Sequence, residues 1–215
     1  MHRDAARAAA GDADRHPGRG PRPGDAVLPR ALRRLRLQRH PPAAARPLLR
    51  GELILDVGGR EVRVMDLGPA HTAADSVVHV PDADVLFAGD LLFVGCTPIV
   101  WSGPIGGWIA ACDRMIATGA ATIVPGHGPV TDPDGVRAVR GYLAHVVEQA
   151  DAAHAQGLSF AEAIEKVDLD EYATWLDAER IVVNLHRRYR ELDPDATPDL
   201  DQLTLLAMMA GRDLS

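Results

Sequence analysis

Two glycines, Gly58 and Gly59, separate ELILDV from REVRVMDL. Both flanks read as strands, and a two-residue hairpin between them needs residues that tolerate positive φ. A pair of glycines meets that demand, so the chain is committed here to an antiparallel ribbon. A ribbon alone is not stable, and the segments that follow must cover it.

Those segments alternate in kind. SVVHV and DVLFAG are two more short strands, separated by Pro81 and Asp82. GGWIAACDRMIATG carries Trp108, Ile109, Ala111, Cys112, Met115 and Ile116 at helical spacing and stops at Gly119. ATIVPG reads as a further strand, and DGVRAVRGYLAHVVEQADAAHAQG as a long amphipathic helix ending in glycine. Ser159 with Glu162 has the spacing of a capping box at the start of a short helix. DAERIVVNLHRRYREL predicts one more helix, with Ile181, Val182, Leu185 and Tyr189 on its buried stripe. Strands come first and helices later, which makes the class mixed α and β. The 215 residues suffice for one domain with a real core, at 47% hydrophobic and 25% charged.

Residues 1–50 differ from the domain at 51–215. They hold 12 Arg, no Lys and 4 Asp, so a basic arm precedes an acidic body. Arg, Ala, Pro and Gly supply 34 of the 50 residues, and such a composition buries too little apolar surface to offset its ordering entropy. One reading is a disordered extension. Another is translation from the wrong frame of GC-rich DNA, because RLRLQRHP shifted by one base can encode a far more protein-like segment. A nucleic-acid-binding arm is the third, but it has no aromatic residue for base stacking and no recognisable reading module. No apolar run suggests a signal peptide, and the long uncharged stretch from Leu91 is broken by glycine and proline, so it makes a poor membrane span. The expected location is the cytoplasm. Cys96 and Cys112 form no disulfide framework, and no base or cation near Cys96 in sequence argues for a reactive thiolate.

Three stretches bear on chemistry. DLGPAHTAADS puts His71 on a loop after the strand ending near Leu67. DVLFAGDLLF puts Asp90 at the end of an apolar strand, beyond Gly89. VPGHGPV puts His127 between glycines after ATIV. Each time an apolar strand delivers one metal-capable side chain to a loop rich in Gly or Pro, and strand ends on one sheet edge converge. Taken singly, each has a plainer reading as a loop or turn residue.

Together, GPAHTAADSVVHVPDADVLFAGDLLF and VPGHGPV resemble the third, fourth and fifth motifs of the metallo-β-lactamase superfamily, over roughly residues 51–145. The resemblance implies an αββα sandwich, of which 51–215 would be mainly the second half. It also implies a hydrolase with two metal ions, zinc first, iron or manganese as alternatives. His71 would ligate the first ion, Asp90 would bridge the two, and His127 would ligate the second. A metal-bound hydroxide would then attack an ester, thioester, amide or phosphate bond of a small-molecule substrate. The family's first motif, His-x-His-x-Asp-His, is missing: only His2, His16 and His40 precede Gly51, and no His-x-His occurs in the chain. That departure favours a second reading, an inactive remnant serving as a binding or interaction module, with a partner or oligomer covering the exposed core.

Other residues carry two readings each. Asp75 is either an acceptor orienting a ligating imidazole or a surface carboxylate. Trp101 and Trp108, in the apolar stretch after Asp90, either wall a substrate pocket or pack against the core. His79 reads as a strand histidine, and His145, His154 and His186 as surface or packing residues.

Overall fold

A computed structural model describes residues 50–211. Apart from Arg50, the Arg/Ala/Pro-rich stretch, with its disordered and wrong-frame readings, lies outside the described residues. The hairpin forms as expected. β1 (Glu52–Val57) pairs antiparallel with β2 (Arg60–Gly68) across Gly58 and Gly59, at φ +66° and +85°. β3 (Asp75–Val80) and β4 (Val85–Phe93) continue the antiparallel order. The chain then crosses through α1 (Ile105–Ala117) to β5 (Thr122–His127), which pairs parallel to β4. The five-stranded sheet has the order β1-β2-β3-β4-β5.

α2 (Pro133–Ala155) packs on α1, α3 (Phe160–Lys166) and α4 (Ile181–Leu192) pack on α2, and α5 (Gln202–Ala210) packs on α4. Each start has a local cause. Asp132 accepts from Asp134 N at 2.8 Å and Pro133 occupies the first turn of α2. Ser159 and Glu162 form the expected capping box of α3. Asp201 caps α5, a helix that the periodicity of the tail did not mark.

One face of the sheet meets the helices, and the core lies there. Val77, Leu86, Ala88 and Ile123 point into it and meet Ile105, Trp108, Ala111, Cys112 and Met115 of α1. Val139, Tyr142, Leu143 and Val146 of α2 close it from outside, and Leu185 and Tyr189 of α4 continue it. Burial of each large aliphatic side chain contributes about 1.5–3 kcal/mol. His79 faces this side too and is buried.

The opposite face has no covering element among the described residues. Cross-strand register places Leu53, Val64, Val78, Phe87 and Val124 in one row across all five strands. Leu53 and Phe87 remain 45% and 46% exposed. The described residues are thus one sheet with helices on one side, an α/β fold that is half of a four-layer sandwich.

Candidate metal centre

β2, β4 and β5 run in the same direction, so their C-terminal ends share one sheet edge. That edge carries His71, Asp90 and His127. β4 does not end at Gly89 as its sequence suggests. It continues through Asp90 to Phe93, with its pairing to β5 shifting between Gly89↔Pro125 and Phe93↔His127. The irregularity leaves Asp90 without a register partner, and bulges of this kind re-aim a side chain next to a site.

The loop after β5 is held at both ends. Ile123 and Thr131 exchange backbone hydrogen bonds of 2.8 and 2.9 Å, and His127 O accepts from Val94 N at 2.9 Å. The His127 ring stacks on Phe93, centroids 4.2 Å apart and planes 14° apart. Its Nε2 lies 3.4 Å from Asp90 Oδ1, and both side chains are about half exposed. Gly126 makes this approach possible: a Cβ there would sit 2.3 Å from Asp90 Oδ1 and 2.7 Å from the Gly89 carbonyl carbon. Asp90 and His127 are therefore a fixed, solvent-facing pair.

His71 is positioned from two directions. Asp75 accepts from Ala70 N (3.1 Å), Thr72 N (2.8 Å) and Thr72 Oγ1 (2.8 Å), which closes the loop around the histidine. The imidazole Nδ1 lies 3.1 Å from Ile99 O, leaving Nε2 as the outward nitrogen. Asp75 thus acts on the backbone of the His71 loop, while the group paired with the ring is a carbonyl from the apolar segment after β4. Gly103 lets that segment close on the loop, because a Cβ there would fall 1.7 Å from Ala70 O. The His71 ring contacts Trp108 and Phe93 at centroid distances of 5.2 and 5.8 Å. Phe93 therefore stands between the two histidines.

Trp108 is fully buried, its Nε1 donating to Leu91 O at 2.9 Å, so it meets the site from behind, through the rings of His71 and Phe93. Trp101 is half-buried and packs against the core. Cys96 does have a cation nearby, which its sequence neighbours did not reveal: Arg180 lowers the thiol's pKa, but burial outweighs it and the net shift is upward. His145 and His186 pair with Asp168 O and Pro198 O, and His154 packs on Tyr189.

Several residues that shape this edge carry no sequence signal. Phe93 reads only as another apolar strand residue. Asn184 of α4, fully buried, accepts from Val100 N (2.9 Å) and donates to Pro98 O (2.8 Å) and Tyr142 Oη (2.7 Å). It fastens the segment that presents Ile99 O to His71, from more than 80 residues away.

Two imidazoles and a carboxylate are the right kinds of donor for zinc, but their number is short. Catalytic zinc takes three protein ligands, and a two-ion site needs more. Among the described residues no three His, Cys, Asp or Glu are gathered closely enough to hold a metal ion. The described residues alone do not fit the two-ion group.

With that geometry, the family follows. Residues 3–127 match the family model of the metallo-β-lactamase superfamily. The chain belongs to that superfamily. The match begins well upstream of β1, in residues that contain no His-x-His. Among solved structures, a stereoselective inverting sec-alkylsulfatase from Pseudomonas sp. is similar over 73% of this chain and 28% of its own, with 15% identity and a TM-score of 0.57. That likeness bears on the fold alone. A metallo-β-lactamase from Pontibacter korlensis matches at 25% identity over 45% of this chain and 47% of its own, TM-score 0.42. The DIM-1 metallo-β-lactamase matches at 22% identity over 45% and 47%, TM-score 0.40. The chain spans about half or less of the length of these proteins. No curated protein matches it. No helix among the described residues is long and apolar enough to cross a membrane.

Proposed function

We propose that residues 50–211 carry one half of a metal-dependent hydrolase site of the metallo-β-lactamase superfamily. Asp90 and His127 are its fixed donor pair, and His71 is its third donor. The observation that supports this most is the exposed Asp90–His127 pair, 3.4 Å apart, at the ends of two parallel strands. The His127 ring packs on Phe93 on one side, yet its Nε2 and the Asp90 carboxylate stay half in water beside a glycine that admits no side chain, as accessible donors would. Hydrolysis of an ester, thioester, amide or phosphate bond in a small-molecule substrate requires further donors, from outside residues 50–211. Zinc is the first metal to test, with iron and manganese next. Zinc-dependent function in the cytoplasm fits a chain without a disulfide framework.

A second reading, an inactive remnant acting as an interaction module, is favoured by the open apolar sheet face and by the absence of a three-donor cluster among the described residues. Elemental analysis of the full chain separates the two. Zinc bound to the parent chain and lost in His127→Ala, with hydrolysis of a thioester or phosphodiester panel, supports the first. A metal-free chain that cleaves nothing assigns the second.

A further inference from the structure

A cavity of about 690 Å³ lies in the helical layer, between the C-terminal turn of α2, the start of α3, the C-terminal turn of α4 and the segment after it. Its volume is that of a small-molecule pocket. None of His71, Asp90 and His127 lines it, so it is separate from the metal edge. Its walls are largely apolar and aromatic. Phe160 and Tyr189 are both buried, with ring centroids 6.1 Å apart, and His154 packs edge-on to Tyr189 at 5.7 Å. The wall is tied in place from behind. Tyr189 Oη donates to Leu158 O at 3.1 Å, and Thr197 Oγ1 donates to Tyr189 O at 3.3 Å.

Both charged side chains that line the cavity are acidic. Glu162 spends Oε2 on Ser159, and Asp193 spends Oδ1 on Ala196 N. The second oxygen of each carboxylate has no hydrogen bond among the described residues. No arginine or lysine among the described residues lines the cavity, and Arg190 is held by the Pro194 and Thr197 carbonyls. α2 and α4 also bring their C-terminal ends here, the negative poles of their dipoles. The start of α3 is the opposing pole, and the Glu162 carboxylate already covers it. Aromatic rings add to the same preference, because their faces attract cations. We propose that this cavity binds an organic cation, an ammonium group carried on an apolar body. The body fills the space beside Phe160 and Tyr189, and the charge is met by Glu162 and Asp193.

Benzyltrimethylammonium is the probe, and phenylmethanesulfonate is its counterpart of opposite charge. In amide NMR titrations of the full chain, the cation should move the Gly157, Ala161 and Ala196 signals saturably. A ligand this small should show a dissociation constant on the order of 0.1–1 mM. The sulfonate should bind at least about tenfold more weakly, because like charges would face each other. Glu162→Gln combined with Asp193→Asn keeps the shape and the capping acceptors but removes both charges. That variant should keep the parent's circular dichroism and weaken the cation about tenfold. Ala161→Trp, at an exposed lining position, should block the cation by filling the cavity. The proposal is overturned if the cation produces no saturable shift at these amides, if the sulfonate binds equally well, or if either variant keeps the parent's affinity.

Discussion

Replacing Asn184 with alanine isolates the contact that joins the helical layer to the site. The side chain is fully buried and makes three hydrogen bonds, to Val100 N, Pro98 O and Tyr142 Oη. Alanine leaves all three partners without their bond in a region closed to water, at about 1–3 kcal/mol for each unsatisfied group. Partial relaxation of Tyr142 Oη brings the expected loss to roughly 3–5 kcal/mol, a large share of the 5–15 kcal/mol typical of a domain. At about 2–4 °C per kcal/mol for a domain of this size, the thermal midpoint should fall by roughly 6–20 °C. Urea denaturation followed by tryptophan fluorescence measures the loss itself. Tyr142→Phe removes only one acceptor and should cost about 1 kcal/mol. The double variant should then lose less than the sum of the single losses, since the two share a bond. Val100 N should exchange faster in the variant, because its acceptor is gone. A loss below about 1 kcal/mol, with Val100 still protected, would refute the reasoning and mean that the segment after β4 is held by other contacts.

Three further outcomes follow from particular contacts. Gly126→Ala places a Cβ against Asp90 Oδ1 and the Gly89 backbone, and should cost about 1–3 kcal/mol of overpacking while displacing the Asp90–His127 pair; calorimetry beside zinc binding reads both effects. Burial pushes the Cys112 thiol up to about 12, so a thiol reagent at pH 8 should leave it untouched in the folded chain and modify it once guanidinium unfolds the protein. Ser159 holds the Glu162 carboxyl below its usual range, so this contribution is present above the unfolded value of about 4.3 and disappears as pH falls through the lower folded one. Ser159→Ala should therefore flatten stability over that acid window and leave neutral-to-basic changes alone, as pH-dependent melting would show.

Local rules carried the fold, and long-range ones hid part of the site. Gly58-Gly59, the stop at Gly119 and the Ser159–Glu162 box are set by neighbours in sequence, and each lands where its pattern puts it. The convergence of His71, Asp90 and His127 on one edge also follows from strand polarity, once the order β2-β3-β4-β5 is known. What could not be read is whatever depends on shape at a distance. Asn184 looks like one more polar residue in a helix, yet it buttresses the His71 loop through a segment more than 80 residues away. The continuation of β4 past Gly89 was hidden because GDLL follows an apolar run that already satisfies a strand's usual length. α5 was missed because LTLLAMMA is apolar nearly all round, and a helix without a polar face gives no period to detect.

The Asp90–His127 pair offers a last test, because its contribution to stability and its value to a metal differ so sharply. A half-exposed pair at 3.4 Å is worth at most about 1 kcal/mol, so Asp90→Asn should barely move the unfolding midpoint of the metal-free chain. A metal that binds only the folded state adds RT ln(1 + [L]/Kd), about 2.7 kcal/mol at a hundredfold excess over Kd. On the metal-site reading, with further donors from outside residues 50–211, zinc should raise the midpoint of the parent chain by roughly 5–10 °C, at the same conversion of about 2–4 °C per kcal/mol, and a chelator should reverse it. Asp90→Asn should abolish that rise while leaving the starting midpoint in place. The two measurements cross-check each other: a variant that loses both is damaged in its fold, whereas one that loses only the zinc response has lost a ligand. Identical zinc responses in parent and variant would remove Asp90 from the donor set and leave the pair as a surface contact.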